Sequence, residues 1–182
     1  MKTTLAISAI LGLFSFSPVQ ANYFSVISVR SASLIHLQSI NANGGSFWIG
    51  KTTTSYCPQA EVSDCPPGND TVFEGGNDTL GLGTVVPAGQ QVYIAPSGIL
   101  SFSEAHTASF PKGSILTGFS LCPGASFGDL SWEYGLVACP TNGTNGPWQI
   151  YGQRADITLP ETCLGFDALT YNLTEPGAWQ YI

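Results

Sequence analysis

The sequence predicts an all-β fold: a single-domain barrel or sandwich of many short antiparallel strands, with a β-trefoil as one form it can take. Three observations carry the prediction. Short runs rich in β-branched and aromatic residues recur along the chain. Gly, Pro, Asn and Ser punctuate them at short intervals and supply the special backbone angles that tight turns require. After residue 21 no segment sustains helical periodicity over three turns.

The first residues read as a secretory signal peptide. Lys2 gives a positive start, and Leu5 to Phe16 form an apolar run. Val19 and Ala21 are the small residues of a cleavage site. Residues 1–21 are therefore expected to be removed, leaving residues 22–182 as one domain. About 160 residues suffice for a real hydrophobic core.

The strands are then justified in order. Phe24 to Arg30 is rich in β-branched residues, and Leu34 to Ile40 nearly alternates. Lys51 to Asp78 reads as an irregular loop, polar and stapled by cysteines. Gln91–Ala95 and Ile99–Ser103 are predicted strands, joined as a hairpin by the turn Ala95-Pro96-Ser97-Gly98. Further strands are expected at Ile115–Leu121, Leu130–Tyr134, Leu136–Cys139, Trp148–Tyr151, Phe166–Tyr171 and Ala178–Ile182. Gly146 to Tyr151 resembles Gly177 to Ile182, a faint repeat that would suit the pseudo-symmetry of a trefoil.

Charge narrows the function. Beyond the signal peptide the basic residues are Arg30, Lys51, Lys112 and Arg154, against 12 carboxylates in the chain. Such a surface has little with which to neutralise phosphates, so neither nucleic acid nor an anionic membrane is an expected partner. No later run reaches membrane length, and the last residues lack the apolar tail of a lipid-anchor signal. Four Asn-x-Ser/Thr sequons, at Asn69, Asn77, Asn142 and Asn172, fit a secreted chain and mark expected surface positions for N-glycans.

The cysteines are Cys57, Cys65, Cys122, Cys139 and Cys163. Secretion makes disulfides the expected state. One odd residue and two bridges leave fifteen arrangements, five choices times three pairings. The favoured set is Cys57–Cys65 with Cys139–Cys163. In the chain-entropy account they contribute roughly 2.5 and 3.5 kcal/mol. Cys122 is then left over: buried, paired with a second chain in a covalent dimer, or displacing one of the favoured partners. A zinc site is not expected, since no C-x2-C or H-x3-H spacing occurs.

Catalytic motifs fare poorly. Gly124-Ala125-Ser126-Phe127-Gly128 spells the nucleophile-elbow pattern. An elbow needs a strand before it and a helix after it, whereas a strand is expected after this one. Both histidines, His36 and His106, precede Ser126, the reverse of the chain order that elbow requires. Glu104 and His106 would share a face if they lay on a strand, but a solvated strand end is the simpler reading. His36 is better read as a satisfied sheet residue. Glu133, between Trp132 and Tyr134, is the best-placed carboxylate for glycoside hydrolysis, and a water-facing strand residue is the simpler account of it. No catalytic residue, metal or cofactor is expected.

The aromatics support a binding hypothesis. Trp132, Tyr134, Trp148 and Trp179, with Tyr151 and Tyr181, cluster near turns in the last third. Exposed rings could stack on sugar faces, although core burial of most of them is the simpler expectation.

Several stretches together resemble a known family. They are Arg30-Ser31-Ala32-Ser33 with Ile35-His36, Asn41 to Gly50, Tyr56-Cys57-Pro58 and Cys65-Pro66-Pro67-Gly68-Asn69. Gly89 to Gly98, Ala138-Cys139-Pro140 and Cys163-Leu164-Gly165-Phe166 complete the pattern. The chain resembles the fungal cell-wall protein PhiA family, whose members are also labelled IgE-binding or allergen-like. The resemblance runs through nearly all of the chain after residue 21. It implies a secreted, glycosylated wall protein linked to the development of phialides and conidia, with no catalytic residues to carry over. Cys122 departs from the four-cysteine pattern. Wall polysaccharide or wall proteins are the expected partners, and a monomer or a Cys122-linked dimer the expected state. A carbohydrate-binding module is the first alternative, and a small secreted hydrolase the second.

Overall fold

The computed structural model describes residues 22–143 and 145–182; the expected signal peptide lies outside them. No helix occurs among the described residues. Fourteen strands form among the described residues; the first part of the chain holds β1 (Tyr23–Val29), β2 (Gln38–Asn43), β3 (Ser46–Ile49), β4 (Ser55–Tyr56), β5 (Phe73–Leu82), β6 (Gln90–Ile94) and β7 (Leu100–Phe102). The remainder holds β8 (Phe119–Cys122), β9 (Phe127–Trp132), β10 (Leu136–Pro140), β11 (Trp148–Gly152), β12 (Leu164–Gly165), β13 (Asp167–Leu173) and β14 (Gln180–Tyr181).

Twelve of these form one sheet in the order β12-β10-β11-β3-β2-β1-β13-β9-β8-β5-β6-β7. Every pairing between these strands is antiparallel. The β3–β7 contact at Ser46 and Ser101 brings the sheet back on itself, and a β1–β5 pairing ties it across. The result is a closed antiparallel barrel with extra strands, which leaves few unpaired edges. β4 and β14 make a separate two-stranded ribbon.

β1 is the central stave. It pairs with β13 over its whole length, from Tyr23 against Leu173 to Val29 against Asp167. Phe24, Val26 and Ser28 point inward, as the period of two requires. Four rings cross the interior: Phe24 from β1 lies 6.0 Å from Phe73 of β5, Phe73 5.2 Å from Phe47 of β3, and Phe47 5.3 Å from Phe102 of β7. Each is at most 4 % exposed, and each such ring contributes about 1.5–3 kcal/mol by burial.

Four expectations shift. The run Leu34–Ile40 does not form a strand throughout; residues 34–37 turn, and the strand begins at Gln38. Leu37 takes a positive φ of 58° and its N–H donates to the Ser28 carbonyl at 2.8 Å. This turn drops Ile35 into the core and leaves Leu34 and Leu37 outside. The irregular loop ends at Val72, because Phe73–Leu82 is the longest strand of all. Gly75 and Gly76, at φ 89° and 90°, bend it so that it pairs first with β1 and then with β8. Ile115 makes only a single bridge, to Ile94, and the strand there begins at Phe119. The repeat also fails: Trp148 to Gly152 is a barrel strand between β10 and β3, whereas Gln180–Tyr181 pairs only with β4. The two copies occupy unlike places, so they supply no trefoil symmetry.

Candidate binding clefts

The loop excluded from the barrel builds a cleft of about 390 Å³, lined by Ser55, Tyr56, Gln59, Ser63, Trp179 and the Cys57–Cys65 bridge, among others. Its walls are fixed from both sides. Beyond Cys57, the carbonyl of Pro58 accepts from the N–H groups of Glu61 and Val62 at 2.8 and 2.9 Å. On the other side the Trp179 carbonyl accepts from Val86 N–H at 3.0 Å, and the neighbouring Ala178 is fully buried.

Tyr181 anchors this segment to the barrel. Its hydroxyl accepts from Val72 N–H at 2.9 Å and donates to the Asp70 carbonyl at 2.8 Å. Burial pushes its pKa far above the ordinary phenol value, so it stays a neutral donor. Gln90 clamps the same residue: its Oε1 accepts from Tyr181 N–H at 2.7 Å, and its Nε2 donates to the Tyr181 carbonyl at 3.0 Å. Gly177 must be glycine, since a Cβ there would meet Val72 at 2.5 Å and the Asp70 carbonyl at 2.9 Å, and would also strike the Tyr181 hydroxyl.

The lining of the cleft is uncharged. Two aromatic residues, one primary amide and two hydroxyls line it, and no Asp, Glu, His, Lys or Arg does among the described residues; the Ser63 hydroxyl donates to the neighbouring Asp64 carboxylate at 3.2 Å. Tyr56 is 52 % exposed and Trp179 half-buried. Rings offer a flat apolar face with a polar tip, and the amide and hydroxyls offer directional hydrogen bonds. Such a set suits a neutral polyhydroxylated ligand, whose C–H faces stack while its hydroxyls bond.

The other expected rings divide. Trp132 and Trp148 are only 2 % and 7 % exposed; both are core residues and cannot receive a sugar. Trp132 fills the interior and donates from Nε1 to the Thr117 carbonyl at 3.0 Å, as buried indoles usually do. Tyr134 is 53 % exposed and packs edge-on against Trp132 at 5.3 Å. It lines a second cleft, of about 490 Å³, at β10 and the Arg154–Cys163 stretch. A hydrogen bond with the Glu133 carboxylate raises its phenol pKa. Sequence reasoning did not single out Tyr56, Gln59 or Ser63 as binding residues: Tyr56 entered only as part of the Tyr56-Cys57-Pro58 stretch, and the other two carry no strand or motif signal.

The candidate catalytic groups do not assemble. Ser126 sits exposed in the hairpin turn between β8 and β9. Gly124 and Gly128 serve that turn: a Cβ on Gly124 would run into the Phe127 carbonyl, and one on Gly128 would sit 2.7 Å from the Cys122 carbonyl. Glu104 and His106 lie beyond the end of β7, not on a strand, with His106 at a φ of 61°. Both line a further cleft of about 480 Å³ floored by Phe102 and Tyr181, with no hydrogen bond between them. His36 occupies the turn before β2, where Nδ1 accepts from Arg30 N–H at 3.2 Å. Glu133 faces solvent in the turn after β9. No cluster of three or more His, Cys, Asp or Glu suited to a metal occurs among the described residues.

Cys139 is bridged to Cys163, and Cys122 lies exposed outside both bridges, at the end of β8. Asn69, Asn77, Asn142 and Asn172 all stand exposed, as a glycan would need; Thr144 of the third sequon lies outside the described residues.

A family model described as PhiA-like secreted protein matches residues 24–182. The chain is also similar to a protein of Arthroderma benhamiae (strain ATCC MYA-4681 / CBS 112371) named "Uncharacterized secreted protein". The two are 36% identical over 153 residues, covering 78% of this chain and 76% of the relative. No solved structure matches.

Proposed function

The chain belongs to the PhiA-like secreted protein family, and from that premise we propose that it works in the fungal cell wall as a non-enzymatic, N-glycosylated protein that holds wall polysaccharide in the Tyr56–Trp179 cleft. The observation that carries this reading is the lining of the cleft: two accessible aromatic residues beside an amide and two hydroxyls, with no acid or base among them. A binding site needs the former, and a hydrolytic site would need the latter. The wall-organising role, and its link to phialide and conidium development, follows if the protein stays on the polymer it binds. An exposed Asn69, two residues beyond the cleft-lining Pro67, would set a glycan at the cleft rim.

The test is retention on insoluble chitin and on insoluble β-glucan. Wild-type protein is expected on at least one of them. Trp179→Ala and Tyr56→Ala are each expected to weaken retention by about tenfold, the effect of removing one ring that anchors a ligand. Absence of wild-type retention on both polymers would sink the reading. A screen of esterase and glycosidase substrates addresses the non-enzymatic half; activity abolished by Ser126→Ala or Glu133→Gln would overturn it.

A further inference from the structure

The second cleft repeats the plan of the first with none of its residues. It contains an exposed ring, Tyr134, where the first has Tyr56 and Trp179. Gln153 supplies the primary amide in place of Gln59. The Cys139–Cys163 bridge fixes its wall through Cys163, as Cys57–Cys65 fixes the other. Pro160 and Leu159 close it where Pro66 and Pro67 close the first.

The cation here is paired. Arg154 is the only cation among the described residues lining the cleft, and four of its five N–H donors are taken. Nε and Nη2 donate to the two Asp156 carboxylate oxygens at 2.8 and 2.7 Å, and Nη1 to the Gly113 and Ala95 carbonyls at 3.0 and 3.4 Å. The Glu133 carboxylate stands outside the lining and accepts from the Tyr134 hydroxyl. The guanidinium therefore braces the wall and leaves no free fork for an anion. Tyr134 is preorganised. Its ring leans on the buried Trp132, and the Gly135 N–H donates to the Trp132 carbonyl at 2.7 Å to close the turn that carries it. The Gln153 N–H donates to the Gly135 carbonyl at 3.0 Å, which ties together the two backbone segments that carry the ring and the amide. Segments tied in this way lose little backbone freedom on binding.

We propose that the Tyr134–Gln153 cleft is a second neutral-saccharide site, so that one molecule holds two polysaccharide chains at once and cross-links them. The inference rests on the reading of the Tyr56–Trp179 cleft as a saccharide site. Because the two linings share no residue, occupying one leaves the other open. Linked sites also raise residence on a polymer well beyond either site alone.

A sandwich assay tests it. Glycosylated wild-type protein is loaded on insoluble β-glucan or chitin, whichever retains it, washed, and offered fluorescently labelled soluble oligosaccharide of the same polymer. Wild type is expected to capture the label. Tyr134→Ala and Gln153→Ala are expected to cut capture by about tenfold or more while most protein stays on the particles. Tyr134→Phe keeps the ring and should retain most of the capture, which separates a stacking role from a folding defect. Cys122→Ser should capture as wild type does. Loss of capture in that variant would overturn the proposal, since bivalency would then come from a disulfide-linked pair of single sites. Wild-type retention without capture, or full capture by Tyr134→Ala, would also overturn it and leave the first cleft standing. Failure of wild-type retention would instead strike the first cleft, and this inference with it.

Discussion

The barrel wall and the segment laid against it are held by different physics. The wall, from β1 through β13 and back by β7, buries apolar side chains in every strand that closes it, and four rings stack across its interior. The outer segment, the loop before Val72 together with the stretch around Trp179, enters the core chiefly through Ala178 and Tyr181 and leaves most of residues 51–67 at the surface. Beyond those two anchors it is held by one disulfide, a two-residue ribbon and individual hydrogen bonds, those of Tyr181 with Gln90 and Val72 foremost. Distributed burial tolerates change on the outside, whereas a few specific bonds fix a shape and fail one at a time. The cleft belongs to the second kind.

The comparison predicts global loss for one class of change and local loss for the other. Phe47→Ala removes the ring that touches both Phe73 and Phe102 and should cost about 3–5 kcal/mol, read as a lower midpoint in denaturant with cooperativity retained. A cost under ~1 kcal/mol would mean that the stack is not the core's centre. Replacing Cys57 and Cys65 together by Ser should cost less, about 2.5 kcal/mol at most, and should expose the loop to protease before the barrel unfolds. Retention on polysaccharide should fall in parallel. If proteolysis of that variant began in the barrel strands, the two regions would be one cooperative unit.

How far each region could be read from sequence follows the same divide. β1, the hairpin of β6 and β7, and β11 declare themselves by β-branched alternation and turn residues, because their burial is set by near neighbours. The long β5 hides behind Phe-Glu-Gly-Gly-Asn-Asp, whose glycines and polar residues read as loop. They serve a bend that exists only because β1 and β8 lie on either side of it. The turn at residues 34–37 hides similarly, since much of what holds it comes from the end of β1 and the residue after it: the Ser28 side chain hydrogen-bonds the Ile35 and Gln38 carbonyls, the Ser28 carbonyl accepts from Leu37 N–H, and Arg30 N–H donates to His36. The first cleft was least legible. Trp179 could be picked out as an aromatic near a turn, but Tyr56 joins it only through the pairing of β4 with β14 across most of the chain. Trp132 and Trp148 misled for the opposite reason: a tryptophan near a turn has the same local signature whether its ring faces out or in.

Tyr181→Phe sharpens the contrast on a single atom. It keeps the buried ring and removes the hydroxyl, leaving the Val72 N–H and the Asp70 carbonyl without that partner. An unpaired buried donor costs about 1–2 kcal/mol. Amide exchange should quicken at Val72 and around Trp179 while the centre of β1 stays protected. Uniform acceleration along β1 would show that the hydroxyl supports the barrel as a whole.

The smallest effect tests the wall by its own charge. Glu74, on β5 beside Tyr23 of β1, is partly buried, and loss of hydration raises its carboxyl pKa above the ordinary value. A raised carboxyl pKa in the folded state means the folded protein holds that proton more tightly than the unfolded chain. Below the unfolded pKa both states are protonated and nothing is lost. As pH rises through the interval between the two values, the unfolded chain gives up its proton first, and stability falls. Above the folded pKa the loss is constant, so it is present in full at neutral pH. Glu74→Gln removes the ionisation and nearly keeps the shape. It should melt above wild type at pH 7, and the gain should vanish near about pH 3, where both carboxyls are neutral. A gain that persisted in acid would come from packing or propensity instead. A loss at pH 7 would mean that the carboxylate, through the β1–β5 pairing, supports the barrel it was expected to burden.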